Sequence, residues 1–136
     1  MKDPCKGRVR IRSENDIVVA RRTVRDAATQ MAFGLTDVTR IVTAASELAR
    51  NVFQYAGDGV MHWTAVDRNS SVGIELTFED NGPGFSDIEQ AMQRGYSTSN
   101  GLGLGLPGVK RLMDELEIVS QPGNGAKVTA RKWVRK

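Results

Sequence analysis

Apolar positions between residues 38 and 56 follow one another at intervals of three and four, which is the period of one buried helix face. Thr36 or Asp37 can cap the start of this predicted helix, and Gly57 can end it. Glu47 and Asn51 are predicted to lie together opposite the apolar stripe, because residues four apart are neighbours on a helix. This segment is the most clearly predicted helix of the chain.

A weaker spacing of the same kind predicts an earlier helix over residues 17–33, which Gly34 can end. Before it, residues 8–12 alternate between basic and apolar side chains, as in a short half-exposed strand. After the long helix, residues 60–66 and 72–78 are predicted strands separated by the polar segment 67–71. Together they predict a β-hairpin.

The C-terminal half continues the alternation of helices and strands. It is predicted to contain a short helix near 87–93, a polar loop over 94–100, a helix over 105–115, and two strands over 116–120 and 127–134 that flank the turn 122–125. This order predicts helices packed on one face of a mainly antiparallel sheet. No repeat or linker interrupts the 136 residues, so we expect a single domain over residues 1–136.

The formal net charge of +3 is unevenly distributed. Residues 1–25 carry eight Lys or Arg against three Asp or Glu, and residues 126–136 carry five basic and no acidic residues. The basic residues alternate with apolar ones, which favours solvated strand faces that could dock an acidic partner. A nucleic-acid surface would more often interleave basic residues with aromatic ones. We therefore expect no nucleic-acid partner.

Cys5 is the only cysteine and His62 the only histidine, which excludes a disulfide framework and a zinc site. A lone cysteine is typical of a reducing compartment. No apolar run approaches the ~18 residues of a membrane-spanning helix, and the basic N-terminus lacks the apolar stretch of a secretory signal. We expect a cytoplasmic protein without a membrane partner.

Residues 101–108 form a glycine-rich turn that leads into a predicted helix. Glycines let the backbone approach a phosphate closely, and a helix N-terminus offers free N–H groups. Gly103, Gly105 and Gly108 match the spacing of a dinucleotide-binding fingerprint, but no hydrophobic strand precedes them and a basic segment stands where that site needs an acidic residue. The P-loop motif and the motifs of eukaryotic-type kinases do not occur in the sequence.

Three elements remain that together suit ATP chemistry: the pair Glu47 and Asn51, the strand-end segment 80–84 and the glycine-rich turn. An Asn oxygen is a hard ligand that suits Mg²⁺. A Glu one helical turn away can orient or deprotonate a hydroxyl group. Asp80 can accept a hydrogen bond from the amino group of adenine, and the glycines that follow it let a flat ring pass close.

In order and separation, these elements resemble the N, G1 and G2 boxes of the Bergerat-fold (GHKL) ATPases and kinases, here at residues 46–51, 80–84 and 101–108. Segments 46–51, 95–99, 105–115 and 129–133 further resemble the RsbT-type switch serine/threonine kinases of bacterial stressosomes. The resemblance covers about residues 8–134. It implies an α/β two-layer sandwich with helices on one face of a mixed, mainly antiparallel sheet. It also implies that ATP and Mg²⁺ bind between the helices and the sheet, under a lid at about residues 85–102.

The resemblance also implies partners. Members phosphorylate a Ser or Thr of STAS-domain stressosome proteins, which act as antagonist and scaffold. After release from them, they activate a PP2C-type phosphatase or another downstream effector, a mechanism called partner switching. Two alternatives stay open: an ATP-binding interaction module with negligible phosphoryl transfer, and an anti-sigma factor of the same fold.

Each candidate residue has an implied role. Glu47 positions or deprotonates the acceptor hydroxyl, Asn51 binds the nucleotide and Mg²⁺, and Asp80 binds adenine. The other nucleotide-binding residues are expected in the glycine segments and the helix after them: Gly82, Gly84, Gly101, Leu102, Gly103, Leu104, Gly105 and Lys110.

Two positions depart from the family pattern. Ala126 follows Gly125 where many members have a Thr that helps to bind adenine, and residues 97–100 lack the lid arginine of related anti-sigma kinases. Another cationic residue must then neutralise the charge of the phosphates. Lys110 is the candidate, and an ordinary surface charge is the equal alternative for it.

Overall fold

A computed structural model describes residues 6–82, 105–120 and 125–134. In chain order the elements are β1 (Lys6–Ile11), α1 (Glu14–Gln30), α2 (Leu35–Ala56), β2 (Gly59–Arg68), β3 (Ser71–Asp80), α3 (Gly105–Leu112), β4 (Glu115–Ser120) and β5 (Ala126–Trp133). The predicted helix at 87–93, the loop at 94–100 and most of the turn at 122–125 lie outside the described residues. Among these residues, none of the helices combines the length and the apolarity needed to span a bilayer.

The five strands form one sheet in the order β1-β2-β3-β5-β4, and every neighbouring pair is antiparallel. Met61, Phe78 and Val128 lie opposite one another on adjacent strands, and all three are buried. They face the helices, because alternate residues of a strand point to opposite sides of the sheet. The predicted two-layer α/β sandwich is therefore confirmed.

Helix α2 is central to the helical layer, since it packs against α1, α3 and strands β1 to β3. Gly57 ends it as predicted, in a left-handed conformation with φ of 78°. Its predicted N-terminal caps are wrong. Gly34 occupies the cap position, and the Asp37 carboxylate lies in the first turn, where negative charge complements the helix dipole.

Helix α1 begins earlier than predicted. The Ser13 hydroxyl accepts a hydrogen bond from the Asp16 N–H at 3.3 Å and so caps the helix before its first apolar position. The helix ends at Gln30, and Ala32 adopts a φ of 65°, so Gly34 is not the residue that ends it.

The hairpin of β2 and β3 is confirmed, but its predicted polar loop is too long. Asp67 and Arg68 continue the ladder opposite Val72 and Ser71. The turn is the dipeptide 69–70, with φ values of 52° and 70°, as expected of the two-residue turns whose twist matches that of the strands. The polarity of Asp67 and Arg68 predicted a loop, although both residues belong to the strand ladder.

The basic residues of the two end strands are not all solvated. Arg8 and Arg10 are exposed on β1, as the alternation predicted. Lys132 on β5 is only 3% exposed, which contradicts the expected solvated face. It lies on the helix-facing side with Val128 and Ala130, because all three share the same parity in the strand.

Candidate active site

Asp80 is the last residue of β3, and it lies opposite Gly59 on β2 and Ala126 on β5. Its Oδ1 oxygen accepts a hydrogen bond from the Gly82 N–H at 2.9 Å. Both cross-strand neighbours are small, and the carboxylate stands at the end of the strand. The position predicted to bind adenine therefore presents a hydrogen-bond acceptor, and its role stays a prediction.

Glycines pack closely around this strand end. A Cβ atom built on Gly82 would lie 2.6 Å from the Cβ of Ala56, at the end of α2. Gly125 has a φ of 85°, and a Cβ there would collide with the carbonyl oxygen of Asp80. Larger residues at either position would force the turns apart, so both glycines are needed for the close approach of turn, helix and strand.

Helix α2 lies over the same end of the sheet. A Cβ built on Gly59 would lie 2.5 Å from Cγ1 of Val52, the residue after Asn51. Because Gly59 is opposite Asp80, the second half of α2 sits above the strand that carries the predicted adenine ligand. The structure thus brings two of the three predicted elements together.

Glu47 is buried, with 4% of its surface exposed, so the helix face opposite the apolar stripe is covered at this position and not solvated. Helix α2 packs against helices α1 and α3 as well as the sheet, so its buried arc is wider than the stripe. The Glu47 carboxylate forms no hydrogen bond with the residues that the structure describes. Asn51, one turn later, is half-buried.

Arg50 was missed by sequence reasoning. Its Nε atom is buried, and in the described part of the chain it is the one such side-chain atom without a hydrogen-bond partner. An unpaired buried donor costs about 1–3 kcal/mol, so this nitrogen is a donor that a ligand could satisfy. Arg50 directly precedes Asn51 in the chain. A basic residue beside an asparagine looks like surface charge until its burial is known.

Helix α3 contributes the third element in part. Gly105 begins it with a φ of 55°, in the left-handed region that favours glycine, and the helix is buried from Gly105 to Val109. It packs against α2, the helix that carries Glu47 and Asn51. Lys110 is exposed on α3. Gly84, Gly101, Leu102, Gly103 and Leu104 lie outside the described residues, as does the lid.

The residues present fit ATP with Mg²⁺. Asn51 offers an amide oxygen and Glu47 a buried carboxylate, whereas no group of three or more His, Cys, Asp or Glu in the described residues could hold a metal by itself. Mg²⁺ usually takes one or two protein oxygens and fills its other positions with phosphate oxygens and water. This donor set suits a metal that arrives with the nucleotide.

Comparison with known proteins identifies a family of ATPases. Residues 36–136 match the family described as histidine kinase-, DNA gyrase B-, and HSP90-like ATPases. The serine/threonine-protein kinase RsbT of Bacillus subtilis is 50% identical over 127 residues, which cover 93% of this chain and 96% of that protein. An anti-sigma F factor of Halalkalibacterium halodurans is 34% identical over 125 residues, which cover 86% of this chain and 84% of that factor.

A solved structure shares the fold. The RsbU and RsbW domains of a Mycobacterium tuberculosis protein match with a TM-score of 0.64 and 20% identity, over 96% of this chain and 32% of that longer one. At this identity, the match supports the fold and carries nothing about activity.

Proposed function

The chain belongs to the histidine kinase-, DNA gyrase B- and HSP90-like ATPase family, and we propose that it is an ATP- and Mg²⁺-dependent serine/threonine kinase that phosphorylates STAS-domain stressosome proteins. Among the structural features, the buried carboxylate of Glu47 carries the proposal, one turn before Asn51 on a helix packed against α3. The identity of 50% with RsbT over 93% of the chain supports protein serine/threonine kinase activity rather than ATP binding alone.

Each proposed role follows from where the residue lies. Asp80, at the end of β3, accepts a hydrogen bond from the amino group of adenine, and Gly82 lets the base approach. Asn51 supplies an oxygen to Mg²⁺, which when bound neutralises phosphate charge. The N-terminus of α3, which starts at Gly105, directs its free N–H groups toward the phosphates, as short glycine-led helices do in other nucleotide sites. Lys110 adds a cation on the same helix.

Glu47 acts on the acceptor. The hydroxyl oxygen of the partner's Ser or Thr forms a bond to the γ-phosphorus of ATP, and the bond from that phosphorus to the β,γ-bridging oxygen breaks, so that ADP leaves. The hydroxyl proton passes to the Glu47 carboxylate. A carboxylate held in a buried position on a rigid helix is well placed for this role, which typically contributes 10²–10⁴-fold to a rate.

Partner switching is the proposed biological setting. We infer that the kinase is held by STAS-domain proteins in the cytoplasm, phosphorylates them, and on release activates a PP2C-type phosphatase or another effector. The name of the relative at 50% identity, a serine/threonine-protein kinase, supports the kinase step of this setting.

The direct test is transfer from γ-labelled ATP. The full chain is incubated with Mg²⁺, labelled ATP and a purified STAS-domain protein encoded beside it, and the labelled residue is mapped by mass spectrometry. Label on a Ser or Thr of the STAS protein supports the proposal. Nucleotide binding without transfer would instead favour an interaction module that binds ATP.

An anti-sigma factor of the same fold is the second candidate, since the relative at 34% identity carries that name. Such a factor would bind a sigma factor directly. Co-purification with a sigma factor, in the absence of any complex with a phosphatase, would favour this candidate over the first.

A further inference from the structure

Lys132 is a buried cation on the helix-facing side of β5. Its side chain is only 4% exposed, and its backbone lies opposite Ile74 on β3. A charge in such a position is costly unless it is paired and hydrogen-bonded. The groups that pair with the Lys132 ammonium therefore indicate its structural role.

The Nζ atom of Lys132 joins three parts of the chain. It donates a hydrogen bond to the carbonyl oxygen of Leu112 at 2.8 Å and another to Oδ1 of Asp114 at 3.4 Å. It also lies 3.8 Å from Oδ1 of Asp37. Leu112 is the last residue of α3, Asp114 follows that helix, and Asp37 belongs to the first turn of α2.

Each of the two carboxylates that face Lys132 has a further partner. Asp37 also pairs with Arg40 at 3.0 Å, and Oδ2 of Asp114 accepts a hydrogen bond from the Trp133 N–H at 2.9 Å. The last carbonyls of a helix have no partner within it, so a cation at Leu112 also suits the dipole of α3. One ammonium group thus fixes the end of α3 to the start of α2.

From these contacts we propose that Lys132 is a positioning residue for the phosphates of ATP, an inference that rests on the proposed function. Helix α3 has eight residues and begins at the glycine-rich turn, so holding its C-terminus sets where its N-terminus points. Helix α2 carries Glu47 and Asn51. By holding the end of α3 to the start of α2, Lys132 sets how α3 lies relative to the helix that carries Glu47 and Asn51. Asp80, on the sheet, takes no part in this contact.

The test separates the phosphate-dependent part of binding from the adenine-dependent part. Dissociation constants for ATP with Mg²⁺ and for adenosine are measured by calorimetry on the full chain and on Lys132→Met. We expect the variant to bind ATP about tenfold more weakly, because a small misplacement of a binding group is costly, and to bind adenosine within twofold of the wild type. A merely structural role would weaken both ligands alike or neither.

Lys127→Met is the matched control, since Lys127 is exposed on the opposite face of the same strand. It should leave both affinities unchanged. An unchanged ratio of ATP to adenosine affinity in a folded Lys132→Met protein would overturn the inference, and so would an equal loss for both ligands.

Two further results complete the test. If Lys132→Met does not fold, Asp37→Asn decides, because it weakens the link between Lys132 and α2, together with the Asp37–Arg40 pair within α2. A threefold or larger fall in the same ratio supports the inference, and an unchanged ratio overturns it. A wild-type chain that binds neither ligand would overturn the proposed function itself, whereas normal wild-type binding with an unaltered ratio in the variants overturns only the role of Lys132.

Discussion

The Oδ1 oxygen of Asp80 accepts a hydrogen bond from the backbone N–H of Gly82 at 2.9 Å, so the turn after β3 holds the carboxylate of the strand's last residue. This contact occupies one carboxylate oxygen and fixes the orientation of the other. The second oxygen forms no hydrogen bond with the described residues, which leaves it as an acceptor for an amino group.

Asp80→Asn should weaken ATP binding about 10- to 150-fold. The amide can present a donor to the amino group of adenine, and losing a hydrogen bond to a charged group costs about 1.5–3 kcal/mol. Calorimetric titration with ATP measures the change. Glu79→Gln is the control, because Glu79 is exposed on the other face of the same strand. Unchanged affinity in Asp80→Asn would rule out the adenine contact.

Gly125→Ala should destabilise the fold by at least ~1 kcal/mol and weaken ATP binding with it. The left-handed φ of 85° is costly for alanine, and the new Cβ would collide with the Asp80 carbonyl oxygen. Urea unfolding measures the loss. Gly34→Ala, where a Cβ meets nothing within 4 Å, should change stability by less than about 1 kcal/mol. Equal effects of the two substitutions would contradict this account of the turn.

Glu115 should make the fold sensitive to acid. Hydrogen bonds from Arg68 and then from Trp133, with a further one from Arg131, lower the pKa of Glu115 from 4.5 to about 2. A lowered pKa stabilises the folded state fully above pH 4.5, and the contribution is lost as the pH falls toward 2.

Glu115→Gln should therefore cost on the order of 1–2 kcal/mol near neutral pH, allowing for solvent screening of this partly exposed group. The difference from the wild type should shrink below pH 4.5. Urea unfolding from pH 7 to pH 2.5 would measure it, with Glu79→Gln as the control. A difference that stays constant over this range would show that the ion pairs of Glu115 do not stabilise the fold.

Asn51→Ala should remove the Mg²⁺ dependence of ATP binding and leave the protein folded. Asn51 is half-buried and makes no hydrogen bond with the described residues, so its truncation costs only the packing of a partly exposed side chain. Titration of ATP with and without Mg²⁺ checks the first part, and thermal melting without nucleotide checks the second. A large fall in melting temperature would show that Asn51 is structural.

The periodicity of the sequence predicted where helices and strands lie better than it predicted which of their polar side chains are buried. The spacing of apolar residues located α2 and Gly57 ended it, because these depend on local geometry. The burial of Glu47 depends on packing between helices that are far apart in the chain, which no local pattern contains. Lys132 is an intermediate case, since it shares the strand parity of Val128 and Ala130 and so could have been predicted to face the helices.

The same distinction between local and long-range contacts applies to the candidate site. Asp80 and Gly82 lie together at the strand end, as a local motif requires. The approach of Gly125 to the Asp80 carbonyl joins segments that are distant in sequence, and it appears only once the sheet is assembled. The glycine-rich turn at 101–104 stays a prediction, because it lies outside the described residues.

Phosphoryl transfer by Glu47→Gln at saturating ATP tests the central claim most directly. Glutamine is nearly isosteric with glutamate, so the packing of the buried side chain and the capture of the STAS protein should persist. Only the carboxylate proposed to take the hydroxyl proton is lost. We expect ATP affinity within about threefold of the wild type and transfer slowed by at least about 100-fold. Wild-type transfer rates in Glu47→Gln would contradict the account and remove Glu47 from the chemistry.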